Sequence, residues 1–207
     1  MKYIYKTRWW MKWWYPELIW EIKTTKKEIY LTFDDGPDPE VTPWVLDQLK
    51  AHQAKATFFC VGENVEKYPE IYKRILAEGH TVGNHTYGHL NGWKTSYDKY
   101  IVSVKKCSHV FGAHLFRPPH GRISKRQIKK LKKRYKIIMW SLLSGDFDDT
   151  ISSAECSYNT VQYSEPGSIV VFHDSQKCKK TLFEALPKIL NHFSNTQWEM
   201  KAICDKN

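Results

Sequence analysis

Between residues 29 and 193 the chain alternates short runs of β-branched and aromatic residues with longer segments whose apolar residues recur at helical spacing. This alternation constrains the fold more than any other feature. Ile29-Tyr30-Leu31-Thr32-Phe33 reads as a strand, with turn residues directly after it. Thr57 to Val61 and His80 to Asn84 are the next strands. Further strands fall near Leu115-Phe116, at Ile137 to Trp140, and at Ser168 to Phe172. Helical spacing predicts helices over 41–51, 64–78, 97–110, 124–135, 153–163 and 180–193, with Gly79 as a C-cap. Strands that alternate with helices build a parallel sheet, open or closed into a barrel, and the expected class is α/β. In such sheets chemistry collects at the C-terminal strand ends. The 207 residues suffice for one domain, and no repeat or linker divides them. We take 27–207 as that domain and 1–26 as an N-terminal extension.

Charge is distributed unevenly. The net charge is +10, yet the stretch from Ile101 to Trp140 holds 12 Lys or Arg and no Asp or Glu. Lys2, Lys6, Arg8 and Lys12 add to it. A local basic face suits an anionic polymer or membrane surface; a solvated outer helix face is the plainer reading. Residues 122–135 carry Ile128, Leu131 and Tyr135 at helical spacing, so the apolar side should dock and the basic side face outward. No nucleic-acid motif or interleaved aromatic platform accompanies the charge, so no specific nucleic acid is expected. The extension contains Trp9, Trp10, Trp13, Trp14 and Trp20. Trp beside Lys and Arg fits a membrane interface; the plainer reading is an aromatic segment covering one end of the core. No apolar run reaches the ~18 residues of a membrane span, and no cleavable signal pattern is visible. A cytoplasmic place, or one peripheral at a membrane face, is the expectation. Five cysteines without a CxxC argue against a disulfide framework and a cysteine zinc site.

The strand-end rule can be tested on the sequence, since ionisable groups should follow each strand. Asp34-Asp35-Gly36-Pro37 follows the first. Adjacent carboxylates repel unless a cation or arginine lies near. His85 and His89 follow the third strand at i, i+4, and on a helical turn they would grip a metal together. With Asp35 they make a two-histidine, one-carboxylate set that leaves positions open for water and substrate. Arg117-Pro118-Pro119-His120-Gly121 follows the next strand: a stiff loop with an arginine able to pair with a carboxylate and backbone N–H groups able to meet an oxyanion. Asp146-Phe147 and His173-Asp174 follow the last two. His52, His80, His109, His114 and His192 lack matching partners and read as structural.

With these residues in place, the chain resembles the polysaccharide deacetylases of the NodB-homology type, carbohydrate esterase family four. Thr32 to Pro37 matches the first family motif completely, and His85 to His89 matches the second. Arg117 to Gly121 matches the third except that His120 replaces a tyrosine. Asp146-Phe147 stands for an Asp-Trp pair, and Val171-Phe172-His173 for Leu-x-His. The resemblance implies a distorted (β/α) barrel of seven or eight parallel strands. It also implies a divalent metal, zinc first, on Asp35, His85 and His89. Asp34 would be the general base, paired with Arg117. His173 would be the general acid, oriented by Asp146. The His120 backbone N–H would serve the oxyanion, and Phe147 and Val171 would line the acetyl pocket. The expected partner is an N-acetylated carbohydrate of chitin, peptidoglycan or precursor type. Two other functions are open: an O-deacetylase of acetylated polysaccharide, and a module that binds an anionic polymer through 101–140.

Overall fold

The computed structural model describes residues 5–204; Lys2 and the first four residues of the extension lie outside them. The strands are β1 (Glu28–Asp34), β2 (Thr57–Cys60), β3 (Thr81–Asn84), β4 (Leu115–Phe116), β5 (Lys136–Ile137), β6 (Leu142–Leu143), β7 (Ile169–His173) and β8 (Glu199–Met200). The helices are α1 (Trp9–Trp14), α2 (Val41–Ala51), α3 (Gly62–Lys67), α4 (Pro69–Ala77), α5 (Tyr97–Val110), α6 (Lys125–Leu131), α7 (Ser153–Tyr163) and α8 (Lys179–Asn195). The sheet runs β5-β4-β3-β2-β1-β7-β6, parallel throughout, and β8 pairs with the start of β1. Seven parallel strands curl into a half-barrel covered by helices, the α/β class expected from the alternation.

β1 lies at the centre and is buried at every residue. Its side chains meet helices on one face and the barrel interior on the other, so an unbroken apolar run suits it. Phe33 stacks between Phe58 of β2 and Phe172 of β7, with ring centroids 5.1 and 5.6 Å away. The apolar stripe of α8, from Leu182 to Phe193, packs on the same core. These contacts hold fixed the strand whose C-terminal end carries Asp34.

Several boundaries differ from expectation. The helix expected over 64–78 is two helices, because Pro69 disfavours helical backbone at Tyr68 and opens α4 instead. Of the strand expected at 137–140 only Ile137 belongs to one, β5; a further short strand, β6, follows at Leu142, and the two do not pair with each other. The segment before β1 bonds to both of these sheet edges. Ile19 N–H donates to Ile137 O at 2.9 Å, and Met139 N–H to Ile19 O at 2.7 Å. Thr7 N–H donates to Ser141 O at 2.9 Å. Leu18 and Trp20 are buried beside Tyr100, Phe116 and Met139. α6 stops at Leu131 and begins with a capping box between Ser124 and Gln127. Ile128, Leu131 and Tyr135 face inward, and the lysines face out. Several cations of this basic stretch are engaged within the protein: Arg126 lies over the Tyr97 ring, Lys106 over Tyr87, and Lys132 is 3.6 Å from Glu17. None of the five cysteines is in a disulfide bond. Among the described residues no helix is long and apolar enough to cross a membrane.

Candidate active site

The ends of the strands converge on one cavity of about 420 Å³. Asp34, Asp35, His85, His89, His120 and His173 line it, and Phe147 and Val171 form part of its apolar wall. Arg117 lies directly behind. It is fully buried and donates from Nη1 to Asp34 Oδ1 at 2.7 Å and to Thr32 Oγ1 at 2.6 Å. Its Nη2 reaches Met139 O at 2.8 Å and Nε reaches Ile138 O at 3.3 Å. The guanidinium also covers the Phe59 ring at 4.1 Å. A buried cation is tolerated only when paired and hydrogen-bonded, and these partners meet that condition. Asp34 Oδ1 is thereby held, and Oδ2 lies 3.9 Å from His85 Nε2.

Asp35 adopts a left-handed backbone (φ 82°), which turns its carboxylate to the cavity. The turn is locked from below. Gly36 N–H donates to Asp174 Oδ1 at 3.1 Å, and the Thr42 hydroxyl meets Asp174 Oδ2 at 2.5 Å. Burial, aided by the nearby Asp35 charge, pushes the Asp174 carboxyl well above its ordinary range. Asp35 behaves oppositely. Burial would raise it, but contact with His89 and the charge of His173 outweigh that and bring it below the usual carboxylate range.

His85 and His89 do not lie on a helical turn. Thr86 and His89 both take left-handed backbone (φ 63° and 51°), and the chain from 85 to 91 forms neither helix nor strand. The pair meets because the loop folds back on itself, and the i, i+4 spacing alone did not distinguish this from a helix. His85 Nδ1 bonds to Arg117 O at 2.8 Å, which aims Nε2 at Asp35 Oδ1, 3.6 Å away. His89 Nε2 is 3.0 Å from the same oxygen. Burial pulls His85 down to about 4 against the opposing charge of Asp34, leaving a neutral imidazole.

These atoms fit a divalent cation. Asp35 Oδ1 is buried and accepts no well-aligned hydrogen bond, an unsatisfied lone pair at the centre of the group. One donor atom from each of Asp35, His85 and His89 lies within 4.8 Å of the others. Two imidazole nitrogens and one carboxylate, with the His85 ring oriented by a carbonyl behind it, is a donor set for zinc or a similar ion.

Opposite chemistry governs His173. Its Nδ1 bonds to Asp146 Oδ1 at 2.9 Å and its backbone N–H donates to Asp146 Oδ2 at 2.6 Å. Ser144 donates to Asp146 Oδ1 at 3.0 Å. Burial alone would lower this imidazole, but Asp146, helped by Asp35 and Asp34, holds it at about 9. His173 is therefore charged at neutral pH, and its Nε2 is left for the cavity. Phe147 stands edge-on to His173, with ring centroids 5.2 Å apart. His120 sits in left-handed backbone (φ 58°), its ring 4.6 Å from that of His89.

Every site residue singled out from the sequence lies in this cavity or directly behind it. Sequence reasoning passed over Trp140, Leu143, Ser175, Lys177 and Cys178, which complete the lining. Trp140 ends an expected strand, so the strand-end rule extended to apolar residues would have found it. Burial pushes the Cys178 thiol up to about 12, which leaves it un-ionised at neutral pH.

A parallel half-barrel with this set at its strand ends is the frame of a hydrolase. The comparisons narrow that class. The polysaccharide deacetylase family model matches residues 21–136, and the chain belongs to that family of hydrolases. Two curated Bacillus cereus proteins named peptidoglycan-N-acetylglucosamine deacetylase are similar to it. One is 41% identical over 72% of this chain and 57% of its own length; the other is 38% identical over 83% and 84%. A solved structure of the Bc1960 peptidoglycan N-acetylglucosamine deacetylase, in complex with a hydroxamate-type benzamide, superposes with a TM-score of 0.86 at 35% identity. It covers 93% of this chain and 94% of that one.

Proposed function

We propose that this protein removes the acetyl group from N-acetylglucosamine residues of a glycan, with peptidoglycan the first substrate to try. One observation carries the reading: an Arg117-held carboxylate, a charged histidine held by Asp146, and an Asp35-His85-His89 donor set face one cavity. A divalent cation held by those three residues supplies Lewis acidity to water and to the acetyl carbonyl. Asp34 takes the proton of the attacking water, its Oδ1 fixed by Arg117 and its Oδ2 free toward the cavity. The His120 backbone N–H donates to the oxygen that gains charge as water adds to the carbonyl carbon. Phe147 and Val171 enclose the methyl. His173 then gives its proton to the amide nitrogen, the C–N bond breaks, and acetate and a free amine leave. Asp146 keeps the ring charged and turned for that transfer.

The same water attack would serve an O-acetyl ester, whose leaving oxygen needs less help from an acid. A donor kept charged at neutral pH favours the amide. The names of the relatives, deacetylases of N-acetylglucosamine, support the same choice. The test is a turnover screen on N-acetylglucosamine oligomers, peptidoglycan and acetylated xylan, with the bound metal counted on the same sample. N-acetyl turnover that disappears on chelation is expected. Turnover of xylan esters alone would reassign the substrate.

A further inference from the structure

A second concavity of about 460 Å³ opens beside the catalytic cavity, and the two share His120, Gly121, Trp140 and Leu143 as common wall. Its far side is aromatic. Trp10 and Trp14 come from α1, and Trp93 comes from the loop before α5. Trp10 and Trp14 are four residues apart on one helix, so their rings share a face; their centroids are 5.9 Å apart. Trp93 is held flat. Its Nε1–H donates to Ile123 O at 3.1 Å, and Arg122 stacks on the ring at 4.2 Å. Even so, 59% of Trp93 stays exposed, as does 60% of Trp14.

The position of α1 follows from the backbone. The segment before it bonds to Ser141 and the segment after it bonds to Ile137, so the helix is pinned across the gap between β5 and β6. That gap is the side on which the catalytic cavity opens toward Trp140. Large aromatic faces exposed on a fixed frame, continuous with a catalytic cleft, are built to stack on something flat and weakly polar. Pyranose rings of an N-acetylated sugar chain present such faces. Trp9 and Trp13 point elsewhere on the same helix and do not line the groove.

We propose that the groove formed by Trp10, Trp14 and Trp93 is a binding platform for the sugar residues next to the one in the catalytic cavity. The proposal rests on the deacetylase reading for the identity of the chain it binds. Its occupant is a neutral N-acetylated aminosugar oligomer; a membrane surface is the rival that the test must separate.

The test measures equilibrium binding of a pentamer of N-acetylglucosamine by calorimetry, beside turnover of a small aryl acetate and of the pentamer. Trp93→Ala and the double variant Trp10→Ala/Trp14→Ala should each weaken pentamer binding roughly three- to tenfold. Aryl acetate turnover should be unchanged, and Trp9→Ala/Trp13→Ala should leave pentamer binding unchanged. Thermal melting of each variant shows that it is folded, and the Trp10/Trp14 pair tests the groove if Trp93→Ala loosens its loop. The proposal is overturned if the parent does not bind the pentamer or if neither groove variant weakens binding. It is equally overturned if the outward pair weakens it as much, or if the groove variants lose only binding to phosphatidylglycerol vesicles. Failure of the deacetylase reading looks different: no turnover of either substrate, with the binding comparison still readable.

Discussion

Replacing Asp146 by asparagine removes the charge that keeps His173 protonated while preserving the shape of the side chain. Burial favours the neutral ring, and Asp146 is the chief opposing influence that lifts it from 6.5 to about 9. That difference is worth roughly 3 kcal/mol of preference for the charged form. Without it, the ring should return to its ordinary range or below. At about pH 8 the charged fraction then falls from about nine-tenths to about three-hundredths, a roughly 30-fold loss of the acid form. The assay is kcat for acetate release from an N-acetylglucosamine oligomer across about pH 5.5 to 9.5. The alkaline limb of the variant should move down by about two pH units, and much of the lost rate should return as pH falls. Stability gives an independent check. A raised imidazole contributes stability that is complete below its unfolded value of 6.5 and is lost as pH rises through about 9. The variant lacks that contribution, so its melting deficit should be largest below pH 6.5 and shrink above about 9. An unchanged alkaline limb with a uniform drop in kcat would refute the role given to Asp146.

Two further predictions concern the support beneath the carboxylate pair. Burial raises the Asp174 carboxyl well above the ordinary 3.8. Its contribution to stability is present below 3.8 and declines as pH rises toward its folded value. Asp174→Asn, which carries no charge in either state, should therefore gain melting temperature relative to wild type as pH rises above about 4; an offset that stays constant with pH would contradict a raised Asp174. At Gly36 an added Cβ would lie 2.1 Å from Asp174 Oδ2. Gly36→Ala should cost roughly 1–3 kcal/mol of stability in denaturant melts and lower kcat more than tenfold, because Asp34 and Asp35 shift with the turn. Normal kcat in that variant would show that the turn has slack.

The positions of Asp34, Arg117, Asp146 and His173 were legible because a parallel sheet forces side chains at successive strand ends into one region. Nothing local had to be known beyond the strands themselves. The His85–His89 loop was legible in composition but not in conformation, since four-residue spacing is common to a helix turn and to this left-handed loop. The break between α3 and α4 was readable at Pro69. What the sequence could not disclose was long-range. The bonding of residues 7 and 19 to both edges of the sheet depends on backbone pairing across more than 100 positions and has no periodicity to betray it. The Trp-rich extension therefore read as an aromatic cover, with nothing to show that Trp10 and Trp14 border the catalytic cavity.

The most direct test of the account is turnover by Asp34→Asn protein loaded with metal. The proposed donor set, Asp35, His85 and His89, leaves Asp34 out, so this variant should keep one divalent cation per chain, while acetate release falls by roughly 10²- to 10⁴-fold for want of a base. Retained turnover with the cation in place would contradict the assignment of Asp34, and with it the mechanism built on the Arg117 pair.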